Sequence, residues 1–142
     1  MRLVVTGSDS FIGRELRRHC RERDIEWIGI DAAPSGAGDH IVADIRSPAM
    51  AEVIPEHADA LVHLAAISRD PDCRSDPQQA FDVNVGGTLN LIKAAQARQV
   101  KQVIFASSEW VYGEVKNTEI QVEDSVIDAG RLVSEYAMTK LV

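Results

Sequence analysis

The 142-residue chain carries 22 acidic and 15 basic residues, which gives a formal net charge of −7 at neutral pH. This balance is unlike the basic stripe of a nucleic-acid-binding protein, so we expect no nucleic-acid partner. No apolar run approaches the length of a membrane span, so we expect no membrane partner. The chain opens directly on a strand-like run without a signal peptide, which predicts a cytoplasmic protein.

The cysteines and one histidine are interpreted as structural. Cys20 and Cys73 lack the spacing of a metal site, so we expect two free thiols and no bound metal. Cys73 lies in a polar stretch with no base beside it, which argues against a nucleophile. His63 lies within an apolar run and is interpreted as a packed core residue rather than a base.

The first half of the chain alternates between strand-like and helix-like patterns. Strands are predicted at residues 2–6, 27–31 and 41–44, and helices at 11–23 and 47–54. Residues 32–38 are predicted to form a loop because they contain Pro and Gly. Ser47 is expected to cap the second helix, with Pro48 at its first position.

The second half continues the alternation. Strands are predicted at residues 59–64 and 103–106, and helices at 77–98 and 132–142. Residues 68–76 are predicted to be a polar loop, and 114–130 an irregular excursion. This order of elements predicts an α/β fold with a Rossmann-like, doubly wound parallel sheet. Ligands of such sheets bind beyond the carboxyl ends of the strands, so residues that follow each strand are the candidates for a site.

A glycine-bracketed turn and a carboxylate follow the first two strands. Gly7 and Gly13 enclose a strand-to-helix turn whose N–H groups can hold a pyrophosphate. Asp31, at the end of the second strand, can accept hydrogen bonds from the adenosine ribose. The same carboxylate would repel a 2′-phosphate, and neither Ala32 nor Ala33 offers a cation to replace it. The sequence therefore predicts NAD rather than NADP.

Six short motifs occur in the order typical of one enzyme family. They are TGSDSFIG at 6–13, DI at 44–45, HLAA at 63–66, NVGGTLNL at 84–91, SSEWVYG at 107–113 and YAMTK at 136–140. Through them the whole chain resembles the NAD-dependent epimerase/dehydratase family, the extended short-chain dehydrogenases/reductases that modify nucleotide sugars. The resemblance implies a nucleotide-sugar substrate and leaves a homodimer open.

The resemblance also implies a role for each matched residue. The pyrophosphate would be held by Gly7, Gly13 and the N–H groups of Ser10, Phe11 and Ile12 between them. Asp31 would bind the adenosine ribose, Asp44 and Ile45 the adenine, and Leu64, Ala65 and Ala66 would line the cofactor channel. Asn84 would brace the central helix. Ser108 would be the catalytic hydroxyl, Tyr136 the acid/base beside the cofactor, and Lys140 the ligand of the nicotinamide ribose.

The pair Tyr136 and Lys140 lies one helical turn apart, so both side chains share a helix face. A lysine ammonium near a phenol favours the phenolate, and we expect it to lower the pKa of Tyr136. Tyr136 could then take the proton of a sugar hydroxyl while hydride leaves for NAD, with Ser108 holding the developing oxyanion. Trp110 is interpreted either as part of a substrate pocket or as a packing residue.

Three departures from the family pattern limit these expectations. Ser10 replaces the usual glycine, where its side chain could crowd the pyrophosphate or donate a hydrogen bond to it. Dehydratases of the family carry Thr-Asp-Glu where this chain has Ser108, Glu109 and Trp110, so we predict no loss of water from the sugar. Residues 1–142 are interpreted as one NAD-binding Rossmann domain, truncated after the Tyr-x-x-x-Lys helix begins and without its substrate-binding part. We expect the 142 residues alone to be inactive, and a non-catalytic NAD-binding module is the alternative function.

Overall fold

Five parallel strands form one sheet within residues 1–34, 40–114 and 120–142, which the computed structural model describes. The strands are β1 (Arg2–Thr6), β2 (Glu26–Asp31), β3 (His40–Val42), β4 (Ala60–His63) and β5 (Val103–Phe105). Their order across the sheet is β3-β2-β1-β4-β5, and Leu3 of β1 pairs with Trp27 on one side and Ala60 on the other. The predicted Rossmann-like parallel sheet is confirmed.

The order of the strands reverses at β1, whose neighbours are β2 and β4. Val4, Val5 and Thr6 of β1 are fully buried, as expected for a central strand that is covered on both faces. At the edge of the sheet, by contrast, Val103, Ile104 and Phe105 of β5 are exposed. Such a reversal is the place where open α/β sheets bind their ligands, next to the carboxyl ends of the two central strands.

The described residues contain six α-helices. They are α1 (Phe11–Glu22), α2 (Met50–Val53), α3 (Asp70–Ser75), α4 (Pro77–Phe81), α5 (Thr88–Ala97) and α6 (Glu135–Leu141). A π-helical turn at Asp82–Gly87 joins α4 to α5, and 3₁₀ turns occur at Glu109–Tyr112 and Ala129–Arg131. No helix in the described ranges is both long and apolar enough to cross a membrane.

The chain divides into two compact units. The sheet unit comprises Met1–Ala66 and Gly86–Ala106, and the helical unit comprises Ile67–Val85 and Ser107–Val142. All five strands belong to the sheet unit, together with α1, α2 and α5. The 3₁₀ turns and the helices α3, α4 and α6 belong to the helical unit.

Helices fix the sheet unit by apolar packing and by hydrogen bonds to backbone carbonyls. Leu3 and Val5 of the sheet pack with Cys20 of α1, and Leu16 and Trp27 border this cluster. The side chain of Asn90, on α5, donates to the carbonyls of Ile45 and Ser47, at 2.7 and 2.8 Å. Those carbonyls belong to an irregular segment, where buried backbone groups need partners from side chains.

The centre of the helical unit is the amide of Asn84, which lies in the π-helical turn and is 3% exposed. Its oxygen accepts from the backbone N–H of Ile67 at 2.8 Å, and its nitrogen donates to the Ile67 carbonyl at 2.9 Å. The same nitrogen lies 3.0 Å from Oγ1 of Thr139 on α6. The Asn84 side chain thus fixes the irregular segment at Ile67 and also contacts α6, a helix that is distant in sequence.

Three predictions of local structure were wrong. The predicted loop 68–76 contains α3, which begins with Pro71 in its first turn and buries its one apolar residue, Cys73. The predicted helix 77–98 is interrupted by the π-helical turn at Asp82–Gly87. The helix predicted at 47–54 is limited to Met50–Val53, because the Ser47 side chain closes a turn to the N–H of Ala49 instead of capping a helix.

Two predicted loops extend beyond the described residues. Residues 35–38 of the loop predicted at 32–38 lie outside them, and so do residues 115–119 of the excursion predicted at 114–130. The remaining described residues of that excursion contain the 3₁₀ turn at Ala129–Arg131 and otherwise no regular element.

We predict that Asn84→Ala destabilises the protein by about 1–3 kcal/mol, because it leaves the N–H of Ile67 without a partner and the Ile67 carbonyl with only the bond from Cys73. Urea unfolding followed by circular dichroism measures the loss. Gln96→Ala is the matched control, since Gln96 is an exposed amide on α5 and its loss should change stability by less than about 0.5 kcal/mol. Equal stability of the two variants would contradict the role of Asn84.

Candidate functional site

The turn between β1 and α1 requires glycine at both ends. Gly7 has a φ of 67°, and a Cβ on it would lie 2.7 Å from the backbone nitrogen of Ala65. A Cβ on Gly13 would lie 2.6 Å from the carbonyl oxygens of Gly7 and Ser8. These separations are far below van der Waals contact, so the turn can exist only with bare backbone at both positions. It directs the N–H groups of the first turn of α1 away from the end of β1.

Ser10 is the N-cap of α1. Its hydroxyl oxygen accepts from the N–H of Gly13 at 3.0 Å, an arrangement that typically stabilises a helix by about 1 kcal/mol. The hydroxyl hydrogen is not used in this bond, so donation to a ligand stays a prediction, as does crowding by the side chain. The side chains of Phe11 and Ile12, which follow, are exposed.

Asp31 lies at the end of β2 and is held by two backbone groups. One carboxylate oxygen accepts from the N–H of Asp9 at 3.0 Å, and the other accepts from the N–H of Ala33 at 3.2 Å. Each oxygen keeps a further lone pair for an outside donor. Because Asp9 belongs to the β1–α1 turn, this bond ties the carboxylate directly to the glycine-bracketed segment.

The other predicted cofactor residues of the sheet unit differ in exposure. The Asp44 carboxylate forms a salt bridge with the guanidinium of Arg46, and hydrogen bonds from this guanidinium hold the pKa of Asp44 below its usual value. Ile45 is buried, and its side chain packs so closely on Gly87 that a Cβ there would lie 2.7 Å from it. Leu64, Ala65 and Ala66 are partly exposed and follow β4 directly.

His63 is buried, as predicted, and Cys73 is buried as well, although the sequence suggested a polar loop around it. The two ring nitrogens of His63 lie 2.7 Å from Oγ1 of Thr6 and 2.9 Å from Oγ1 of Thr88. These contacts make it a satisfied core histidine. Cys73 donates to the carbonyl of Ile67, and burial raises the pKa of its thiol, which makes it a poor nucleophile. Cys20 and Cys73 are both free thiols.

In the helical unit, Ser108 caps the 3₁₀ turn at Glu109–Tyr112. Its hydroxyl oxygen accepts from the N–H of Trp110 and donates to a carboxylate oxygen of Glu109, both at 3.3 Å. This local capping fixes the direction of the hydroxyl, because the oxygen is held at the start of the turn.

Tyr136 and Lys140 lie on α6, which begins with Ser134 as its N-cap. The ammonium nitrogen of Lys140 lies 5.9 Å from the centre of the Tyr136 ring, and Lys140 is only 7% exposed. The ring of Trp110 meets that of Tyr136 edge to face, with centroids 6.3 Å apart. The predicted catalytic residues are therefore brought together within one unit.

The pKa of Tyr136 departs from our prediction. Burial raises it above its usual value of 10, a hydrogen bond from Ser108 lowers it, and the nearby charge of Glu109 raises it further. Burial also lowers the pKa of the Lys140 ammonium. In both groups, desolvation disfavours the charged form.

Beside these residues lies an apolar groove of 410 Å³. It is lined by Glu109, Trp110, Tyr112, Gly113, Gln121 and Val133. Gly113 is required at its floor, because its φ is 70° and a Cβ would lie 2.3 Å from the carbonyl oxygen of Arg131. The groove places Glu109 and the 39% exposed Trp110 on one surface. This favours the pocket-lining interpretation of Trp110.

Thr139 is a supporting residue that the sequence did not reveal. Its hydroxyl donates to the carbonyl of Tyr136 at 2.8 Å and lies 3.0 Å from the amide nitrogen of Asn84. It therefore links the Asn84 amide to the turn of α6 that carries Tyr136. A threonine within a helical pattern gives no signal of such a role, since most are solvated or bonded to their own helix.

We predict that the phenol of Tyr136 titrates above pH 10 and that its neighbours move the value in opposite directions. Ultraviolet titration near 295 nm can be assigned to Tyr136 in a Tyr112→Phe background, because the chain has two tyrosines. Ser108→Ala should raise the pKa further, and Glu109→Gln should lower it. A midpoint below 10 in the background protein, or equal shifts in both variants, would contradict the described environment.

Comparison with known proteins places this arrangement in a family. The sequence model of the NAD dependent epimerase/dehydratase family matches residues 3–142. The chain is 29% identical, over 141 residues, to the GDP-6-deoxy-D-mannose reductase of Pseudomonas aeruginosa, covering 99% of this chain and 44% of the reductase.

Solved structures extend the similarity. A UDP-glucose 4-epimerase from Stenotrophomonas maltophila with bound NAD and formylated UDP-arabinopyranose superposes with a TM-score of 0.86 at 28% identity, over 99% of this chain and 46% of that one. A dTDP-glucose 4,6-dehydratase double mutant from Streptomyces venezuelae, also with NAD, gives 0.85 at 27% identity, over 99% and 48%. The chain thus spans about half the length of these relatives, and the predicted cofactor is confirmed at the level of the family. The chain belongs to the NAD dependent epimerase/dehydratase family.

Proposed function

We propose that the chain is the cofactor-binding half of an NAD-dependent enzyme that oxidises a carbinol of a nucleotide sugar, as in epimerisation. The observation that carries the proposal is the grouping of Ser108, Tyr136 and Lys140 in one unit, with the Lys140 ammonium 5.9 Å from the centre of the Tyr136 ring. Each relative described above acts on a different sugar nucleotide, so similarity alone does not select the reaction.

NAD fits the residues of the sheet unit. The bare backbone at Gly7 and Gly13 allows a pyrophosphate to approach the N–H groups of Phe11 and Ile12 at the start of α1, beside the Gly13 N–H that Ser10 caps. We propose that Asp31 binds both hydroxyls of the adenosine ribose, because its carboxylate is already aimed by Asp9 and Ala33. The adenine contacts of Asp44 and Ile45, and the channel role of Leu64, Ala65 and Ala66, are proposed from the family pattern.

When bound, NAD supplies the hydride acceptor, and the residues of the helical unit handle the proton. We propose that the phenolate oxygen of Tyr136 receives the proton of the sugar hydroxyl. Ser108 would turn its hydroxyl hydrogen from Glu109 to the sugar oxygen and stabilise the developing oxyanion. Lys140, proposed as the ligand of the nicotinamide ribose, supports the phenolate. Asn84 and Thr139 keep this turn of α6 in place.

We propose that the sugar occupies the apolar groove beside Trp110. An indole face contacts the C–H face of a pyranose, whereas Glu109 disfavours an acidic sugar at the same place. Trp110 also decides the reaction type, because the family's dehydratases carry a glutamate base there and an indole cannot accept a proton. We therefore propose oxidation or epimerisation without loss of water.

A non-catalytic NAD-binding module is the second candidate, and the observation that favours it is the raised pKa of the Tyr136 phenol, which disfavours its use as a base. In either case we propose that residues 1–142 form one NAD-binding Rossmann domain. We propose that this domain alone binds NAD without completing the reaction. A cytoplasmic location and a homodimer are further proposals that follow from the family resemblance.

We predict that the chain binds NAD at least tenfold more tightly than NADP, because the Asp31 carboxylate repels a 2′-phosphate. Asp31→Ala should weaken NAD binding by at least about tenfold, because each hydrogen bond to a charged group contributes about 1.5–3 kcal/mol, and should reduce the discrimination. Isothermal titration calorimetry with both dinucleotides measures these changes. Glu52→Ala, which removes an exposed carboxylate on α2, is the control and should leave both affinities unchanged. Tighter binding of NADP by the unmodified chain would contradict the assignment.

We predict that the natural protein that contains these residues converts a nucleotide sugar to its epimer or to a keto sugar. We expect it to form no 4-keto-6-deoxy sugar. Mass spectrometry of products from a panel of nucleotide sugars separates these results by the mass of one water. Residues 1–142 alone should form no NADH in the same assay, since hydride transfer needs the reacting groups in near-attack geometry. Loss of water would overturn the role assigned to Trp110, and inactivity of both polypeptides would favour the binding module.

A further inference from the structure

Two buried polar groups without partners face each other beside the β1–α1 turn. The hydroxyl of Ser8, a residue that is 5% exposed, and the indole N–H of Trp27 make no hydrogen bond within the described residues. Buried groups of this kind cost roughly 1–3 kcal/mol when they lack partners, so they are rarely left unpaired. Ser8 lies inside the glycine-bracketed turn, whereas Trp27 lies on β2.

Gly29 shows that the two groups share one space. A Cβ on Gly29 would lie 2.8 Å from Oγ of Ser8 and 2.9 Å from Nε1 of Trp27. Both polar atoms therefore approach a single point above the sheet. Trp27 and Gly29 are two residues apart on one strand, so their side chains belong to the same face of the sheet. The indole N–H can only donate, and a serine hydroxyl can accept, so the two groups are chemically complementary.

The backbone of Ser8 is held on its other side by α1. A Cβ on Gly13 would lie 2.6 Å from the carbonyl oxygen of Ser8, so the helix touches the main chain of the turn. The N–H of Ser8 also lies 3.2 Å from the carbonyl of Ile30, and the next N–H, that of Asp9, bonds to Asp31. A displacement of Ser8 would therefore move both the start of α1 and the partner of Asp31.

We propose that Trp27 is a positioning residue for the β1–α1 turn: its indole N–H donates to Oγ of Ser8, after a small rotation of the serine side chain, and this bond sets the turn for a diphosphate. The proposal rests on the proposed function of this turn as a pyrophosphate site. Trp27 acts through Ser8 and contacts no part of the ligand itself. Gly29 is needed because any side chain there would separate the pair.

The test compares ADP with adenosine as probes, both titrated into the 142-residue chain by calorimetry. Trp27→Phe keeps the aromatic packing and removes the N–H, and we expect it to weaken ADP binding by about three- to tenfold, the size of one net hydrogen bond. Adenosine, which lacks phosphates and contacts the turn only through Asp31, should lose clearly less affinity than ADP. Ser8→Ala should have the same effect, and the double variant should be no weaker than either single variant, because both changes remove one interaction. Additive losses, or equal losses for adenosine, would mean that Trp27 only supports the fold.

A spectroscopic measurement keeps the proposal testable if Trp27→Phe does not fold. In a Trp110→Phe background Trp27 is the single tryptophan, because the chain has two. ADP should shift its emission, and Ser8→Ala should abolish the shift. An unchanged shift in Ser8→Ala, or no shift with ADP bound, would overturn the proposal. If the unmodified chain binds neither ADP nor NAD, the proposed cofactor function fails first, which distinguishes the two failures.

Discussion

The geometry of the sheet unit depends on a close contact of backbone with backbone at the β1–α1 turn. Gly7 meets the main chain of Ala65, and Gly13 meets that of Gly7 and Ser8, at distances that exclude any side chain. Because this turn joins the central strand to α1, its geometry determines where the N–H groups of the helix lie. Gly7 also requires a left-handed φ of 67°, so a substitution there would add backbone strain to the steric overlap.

Asp31 depends on the same turn. The N–H of Asp9 orients the carboxylate. A hydrogen bond therefore joins the proposed ribose ligand, Asp31, to the turn that is proposed to bind the pyrophosphate. Discrimination between NAD and NADP would then be a property of the turn as well as of the carboxylate. This differs from an isolated aspartate at a strand end, whose side chain would be free to rotate away from a 2′-phosphate.

The sequence predicted those parts of the fold that depend on local pattern. Buried runs such as residues 2–6 identified the strands, and their alternation with helices predicted the parallel sheet. The order of motifs predicted the candidate catalytic residues. The pattern failed for α3, because a single buried side chain, Cys73, anchors a helix that is otherwise polar. It also failed for the π-helical turn, whose Asn84 is committed to Ile67 and Thr139. These interactions join residues far apart in sequence, where periodicity carries no signal.

The pKa of Tyr136 shows the same limit of sequence-based prediction for the proposed catalytic residues. The spacing of Tyr136 and Lys140 correctly predicts that they are neighbours, but spacing contains no information about burial, which raises the pKa of the phenol and lowers that of the ammonium. The fold therefore favours a neutral phenol, and only a positive charge or a stronger hydrogen bond near its oxygen can favour the phenolate. In the proposed reaction the oxidised nicotinamide ring carries such a charge and the reduced ring does not. Tyr136 would then act as a base in its phenolate form when the sugar is oxidised and as an acid in its phenol form when it is reduced, so one residue can serve both directions of an epimerisation.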